Sequence, residues 1–148
     1  MAQLIFINLP VRDLERSTTF YESVGARKDP CFSNAEAACM VVSDTIHVML
    51  LTHAFFGRFT PKTIPDARNA AQVLLCLSAD SRADVDGWVD RAREAGGAVD
   101  PSPTQDYGMM YGRSFEDPDG HIWEVMWMDV EAFLAGQGGE APADAVAA

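Results

Sequence analysis

The sequence predicts an α+β fold built from two βαβββ modules. Three observations carry that reading. A pattern of apolar strand, acidic cap, helix and glycine occurs twice, about half a chain apart. Each occurrence is followed by short β-prone runs, and a strong turn, Asp117-Pro118-Asp119-Gly120, introduces a last aromatic-rich run. Displacing the sequence by 68 residues lays residues 4–11 on residues 72–79. Two half-size units, each too small to close a core alone, should pack together as one domain. That domain spans residues 1–130, with module 1 at about 3–53, a connecting loop at about 54–69 and module 2 at about 70–129. Residues 131–148, rich in Ala, Gly and acids without periodicity, read as a flexible tail.

In order, residues 4–11 form a short apolar run ended by Pro10 and charges, which reads as a strand. Asp13 then caps a helix in which Leu14, Ser17, Thr18, Tyr21 and Val24 recur at helical spacing, and Gly25 ends it. Cys31-Phe32, residues 37–43 and residues 46–52 read as two or three strands of a meander. From 52 to 69 the pattern breaks, and Phe55, Phe56 and Phe59 sit among Gly57, Pro61 and Pro65 in a linker or flap, where they either anchor the loop to the core or line a pocket. Residues 72–79 open the second pass. Asp80-Ser81 then precedes a helix through Val85, Trp88, Val89 and Ala92, about one turn longer than the first, which stops at Gly96-Gly97. Ala98-Val99, residues 109–115 and residues 121–128 supply its strands.

Composition narrows the function. At 148 residues and 48% hydrophobic content the chain is globular, and its net charge of −11 disfavours nucleic acid and anionic membrane surfaces. Small molecules or proteins are the partners that remain. Cys31, Cys39 and Cys76 show neither a zinc spacing nor a Cys-x-x-Cys pair, which suits reduced core thiols and a cytoplasmic location. The opening residues lack a basic region ahead of an apolar core, so neither a signal peptide nor a membrane span is expected.

The closing run holds the best functional clue. Period two puts His121, Trp123, Val125 and Trp127 on one face, with Ile122, Glu124, Met126 and Met128 on the other. Glu124 is then a carboxylate among apolar neighbours on a strand that reads as covered on both faces, and something should hold it. Candidate donors are Asn8, Gln72, Tyr107, Tyr111 and Arg113. The stretch 105–113, with two tyrosines, two glycines and Arg113, suits the lip of a pocket. Trp88, Trp123 and Trp127 read as strand–helix packing, and His53 and His121 as edge residues.

Taken together, Val11-Arg12-Asp13-Leu14-Glu15-Arg16-Ser17, Phe20-Tyr21, Gly96-Gly97 and Asp117-Pro118-Asp119-Gly120-His121 with Glu124 resemble the vicinal oxygen chelate superfamily of glyoxalases, extradiol dioxygenases and bleomycin resistance proteins. The resemblance covers about residues 3–129. It implies a curved mixed sheet bearing a cleft, a homodimer, and a divalent metal held by one residue from each of four strands. Of those positions only Glu124 keeps a ligand. The others fall near Phe6, with Asn8 on the same face, near Met49, and near Leu74, with Gln72 on the same face. Phenylalanine and leucine cannot bind a divalent cation, and a thioether suits only soft metals.

The expectation is therefore a glyoxalase-like protein that binds a small organic molecule at an incomplete metal site, acting by sequestration or by metal-independent chemistry with Glu124 as base. Asn8, Met49, Gln72, Tyr107, Tyr111 and Arg113 are its expected ligand-binding residues, and no cofactor is expected. The alternative is a metal-dependent lyase, isomerase or dioxygenase in which Glu124 and His47 hold the ion.

Overall fold

A computed structural model describes residues 1–136, which divide into two compact units. Unit 1 comprises Met1–Ala70 together with the turn Pro118–Gly120, and unit 2 comprises Ala71–Asp117 and the chain from His121 onward. The last twelve residues of the expected tail, 137–148, lie outside the described residues.

Unit 1 runs β1 (Ile5–Val11), α1 (Leu14–Val24), β2 (Arg27–Asp29), a 3-10 turn at Pro30–Phe32, β3 (Ala37–Val41), β4 (Ile46–Thr52) and the short α2 (His53–Phe56). Its sheet has the order β1-β4-β3-β2, with β1 parallel to β4. The helix starts where Asp13 accepts a hydrogen bond from the Arg16 N–H at 3.0 Å. It stops at Gly25, whose φ of 119° favours glycine, and the Ala26 N–H closes the cap on the Tyr21 carbonyl. Ser17, Phe20, Tyr21 and Val24 lie one turn apart on the buried side, over the buried Ala38, Met40, Val48 and Leu50 of β3 and β4. Each large apolar side chain buried there contributes about 1.5–3 kcal/mol.

The turn Pro118–Gly120 is held in unit 1 by polar contacts. The buried Asp119 carboxylate accepts from the Arg12 N–H at 2.9 Å and from the Ser17 hydroxyl at 3.2 Å. Arg68 donates to the Pro118 carbonyl at 3.1 Å. Gly120 has a φ of 99°, and a Cβ built on it would stand 2.8 Å from the Arg68 nitrogen and 2.9 Å from the Ala67 carbonyl.

Unit 2 runs β5 (Leu75–Ser78), α3 (Arg82–Glu94), β6 (Ala98–Val99), β7 (Gln105–Asp106), β8 (Met110–Glu116), β9 (Ile122–Met128) and α4 (Val130–Ala135). Its sheet has the order β5-β9-β8-β6, with β5 parallel to β9 and β7 added beside β8. The strand order of unit 1 is thus repeated, first strand beside last, as a duplicated module requires. Ser81 caps α3 by accepting from the Asp84 N–H, and Val85, Val89 and Ala92, at helical spacing, are fully buried. They lie on the face of β8 and β9 that carries Phe115, Trp123 and Val125, and Trp88 stacks on Phe115. Trp88 and Trp123 thus pack between strand and helix, while Trp127 is half-buried with the Arg82 guanidinium 6.0 Å from its ring.

Several boundaries differ from the sequence reading, each for a local reason. Cys31 and Phe32 are not strand residues: Asp29 accepts from the Cys31 N–H and Pro30 starts a 3-10 turn, so the paired strand is Arg27–Asp29. The first strand of unit 2 begins at Leu75 instead of 72. In the register that sets Leu75 opposite Trp123, Gln72 would face Gly120, which belongs to the turn and offers no ladder. Helix α3 has 13 residues against 11 in α1, about half a turn longer. Residues 130–135 form a helix because Asp129 accepts from the Ala132 N–H. Cys39 is a buried thiol, but Cys31 and Cys76 are exposed, one in the 3-10 turn and the other on the open face of β5.

Candidate functional site

Register in unit 2 decides which side chains share a face with Glu124. Glu124 on β9 is the cross-strand partner of Ser114 on β8 and of Cys76 on β5. Gly112 faces Met126, and Gln105 on β7 faces Gly112. Cross-strand partners point to the same side of a sheet, so Cys76, Gln105, Gly112, Ser114, Glu124 and Met126 line one surface. They border a shallow cleft that encloses only about 10 Å³, room for one water-sized group, before it opens to solvent.

Glu124 is half-buried, and this face of β9 is half-exposed along its length, not covered as the sequence reading has it. Burial pushes the Glu124 carboxyl above its ordinary range, and among the described residues no hydrogen bond or cation opposes the shift. The Cys76 thiol beside it is also pushed up, first by burial and then by the Glu124 charge, which keeps it protonated. Its S–H contacts the Leu77 carbonyl at 3.9 Å. The Ser114 hydroxyl is occupied by the backbone of Ser102, and the buried Gln105 Oε1 receives no hydrogen bond among the described residues.

Two of the expected donors lie on the opposite face. Tyr111 and Arg113 pair with Trp127 and Val125, the α3 side of the sheet. Arg113 is bidentate to Asp100 at 3.1 and 2.7 Å and reaches Asp86 at 2.9 Å; the Tyr111 hydroxyl donates to Asp86 at 2.6 Å. The Tyr111 bond and then Arg113 hold the Asp86 carboxyl below its usual range. Arg82 lies 4.4 Å over the Tyr111 ring and pairs with Asp106. These side chains tie β7 and β8 to α3, so the side chains of Tyr111 and Arg113, expected at the ligand, are not brought onto the Glu124 face. Gln72 is exposed ahead of β5 and shares no strand with Cys76, so the pairing of β5 with β9 does not bring it beside Glu124. Tyr107 lies half-buried in the turn between β7 and β8.

In unit 1, Asn8 and Met49 are cross-strand partners on β1 and β4, as Cys76 and Glu124 are on β5 and β9. Adding 68 to Asn8 gives Cys76, so the displacement that aligned the modules already contained the neighbour of Glu124. Phe6 fills the opening-strand position and stacks on His47 with ring centres 4.8 Å apart. The His47 Nδ1 is buried without a partner among the described residues.

A resident divalent metal does not fit these donors. Beside the single carboxylate of Glu124 the face offers one thiol, a serine hydroxyl engaged by backbone and one amide oxygen, with no histidine among them. Among the described residues no group of three or more His, Cys, Asp or Glu side chains is arranged to hold a metal ion.

The family model described as the Glyoxalase/Bleomycin resistance protein/Dioxygenase superfamily matches residues 33–125, more than half of the chain. The chain belongs to this superfamily. Among solved structures, a hypothetical protein from S. aureus is similar to it at 29% identity and a TM-score of 0.70, covering 86% of this chain and 95% of its own. A glyoxalase-related enzyme from Fulvimarina pelagi is similar at 24% identity and a TM-score of 0.69, covering 86% and 88%. A fosfomycin resistance protein from Mesorhizobium loti is similar at 21% identity and a TM-score of 0.64, covering 90% and 98%. The last two likenesses show the superfamily fold alone. None of the curated proteins compared with the chain matches it. No helix among the described residues is long and apolar enough to cross a membrane.

Proposed function

We propose that this superfamily member binds a small organic molecule in the Glu124 cleft of unit 2, as a binding or sequestering protein without a resident metal. One observation carries the reading: Glu124 is a half-buried carboxylate that no group among the described residues pairs, at the edge of a cleft that opens above it. An unpaired carboxylate out of water costs stability, and groups placed that way concentrate where a ligand completes them. The donor set argues against the metal-dependent alternative built on Glu124 and His47. A homodimer is the assembly proposed with it. The strand β1 forms an edge of the unit 1 sheet, and Ile5 and Phe6 on it are 53% and 52% exposed, an apolar edge that a second copy would cover.

Protein purified without chelator is expected to sediment as a dimer and to carry no stoichiometric divalent ion. In a thermal-shift screen of small organic compounds it should give stabilising hits that vanish in Glu124→Gln. A tightly held ion, or hits that Glu124→Gln leaves unchanged, would overturn the reading.

A further inference from the structure

Donors and acceptors are unevenly distributed around the Glu124 cleft, and the imbalance defines a ligand class. The acceptors that line it include the Glu124 carboxylate and the buried Gln105 Oε1, neither of which receives a hydrogen bond among the described residues. Of the hydrogen-bearing side chains at the cleft, Ser114 is turned to the Ser102 backbone and Cys76 to the Leu77 carbonyl, which leaves the Ser102 hydroxyl and the Gln105 amide N–H groups as neutral donors and none that is charged. Of the unit's guanidinium groups, Arg82 and Arg113 lie over the opposite face, paired with Asp106, Asp86 and Asp100. Arg91 stacks over Trp88 and Arg93 pairs with Asp90, both on α3. Among the described residues of unit 2, no cationic group pairs with Glu124.

We propose that the cleft is a site for a primary ammonium group, which Glu124 and the Gln105 Oε1 receive as hydrogen-bond acceptors. The inference rests on the small-molecule reading above and adds the ligand's chemistry. An ammonium brings three N–H donors and the charge that Glu124 lacks, and charge-assisted bonds are about twice as strong as neutral ones. An anionic ligand would set like charges together beside the half-buried carboxylate. Size selects further: an enclosed space of about 10 Å³ admits a head the size of water, such as –NH3⁺, and shuts out a trimethylammonium. The rest of the ligand lies in the open part of the cleft, over Gly112 and Met126.

The test uses four probes with one ring: benzylamine, benzyl alcohol, benzoate and benzyltrimethylammonium. Binding is read by saturation-transfer NMR, and alkylation of Cys76 by iodoacetamide is followed by peptide mass spectrometry. Cys31, also exposed, serves as the internal control. Benzylamine should bind saturably and slow alkylation of Cys76 but not of Cys31, while benzoate and the quaternary amine do neither. Glu124→Gln should weaken benzylamine about tenfold or more, and Gln105→Leu, a second variant on another strand, should weaken it by less. Benzoate or the quaternary amine binding as well as benzylamine, or benzylamine binding that survives Glu124→Gln, overturns the inference. If a neutral or anionic probe shields Cys76 in a Glu124-dependent way, the ammonium inference falls while the small-molecule reading stands. If no probe binds or shields Cys76, both fall.

Discussion

Gly120→Ala is expected to destabilise the protein by about 3 kcal/mol or more, whereas Gly25→Ala should cost only about 1 kcal/mol. Both glycines belong to unit 1 and both have positive φ, 99° at Gly120 and 119° at Gly25, so both substitutions strain the backbone. They differ in what an added methyl group meets. At Gly25 nothing lies within 4 Å. At Gly120 the new Cβ would stand 2.8 Å from the Arg68 nitrogen and 2.9 Å from the Ala67 carbonyl carbon and oxygen. Those are backbone atoms, which cannot rotate aside as a side chain can. Relief requires moving either the 67–68 backbone or the turn, and the turn is fixed by the Asp119 bonds to Arg12 and Ser17. Urea unfolding of the two variants measures the difference. Equal losses would mean that the turn does not approach residues 67 and 68 as closely as described.

Arg113→Met should cost about 2 kcal/mol at neutral pH, although the side chain stands outside the proposed ligand site. Its side chain is only 14% exposed, and it serves two carboxylates at once, Asp100 and Asp86. Methionine fills much of the space but leaves both aspartates without their cation. Loss of a fully buried pair would cost more; here Asp86 and Asp100 keep 47% and 29% of their side-chain surface in solvent, which moderates the penalty. The pH dependence follows from Asp86, whose folded carboxyl lies below its usual range through the Tyr111 hydroxyl and then Arg113. A depressed carboxylate stabilises the fold above its unfolded pKa of about 3.9 and loses that contribution as pH falls through the lower folded value. The gap between wild type and Arg113→Met should therefore narrow in acid. Benzylamine binding should be retained in the variant, because Arg113 serves the wall between β8 and α3.

Much of the fold is legible in the sequence, because its signals are local. Asp13 and Gly25 bracket α1, Ser81 opens α3, and the Asp-Pro-Asp-Gly turn sets the β8–β9 hairpin. The repeated order of strands in the two sheets follows from the duplication that a displacement of 68 residues reveals. The misread boundaries depend on partners distant in sequence. Residues 72–74 are as apolar as a strand, yet β9 offers them no ladder, since its pairing with β5 starts at Leu75. The two-residue β7, which the sequence reading lacks, exists only because β8 extends past Gly112 and leaves an edge to pair with. The site was partly legible. Glu124 stands out as a carboxylate in an apolar strand, but its neighbours depend on parity across the hairpin. Glu116 faces Ile122 across the turn, which sets Ser114 beside Glu124 and turns Arg113 away. Counting back from the turn would have found Ser114, and displacing Asn8 by 68 would have found Cys76. Gln105 carries no such signal, because its place depends on β7.

The central claim is that Glu124 is held half-buried with no partner among the described residues, and its removal measures this directly. Its folded carboxyl lies above the unfolded value, so the linkage penalty is absent below the unfolded pKa and is incurred as pH rises through the folded one. Thermal unfolding of wild type and Glu124→Gln, compared from mildly acidic to neutral pH without added ligand or metal, should show the variant more stable at neutral pH, by a margin that solvent screening of the half-exposed carboxylate keeps small. That advantage should disappear as the pH is lowered and wild-type Glu124 takes up its proton. A variant less stable than wild type at neutral pH, with the deficit shrinking in acid, would mean that Glu124 is paired or bound to a cation, and would contradict the account.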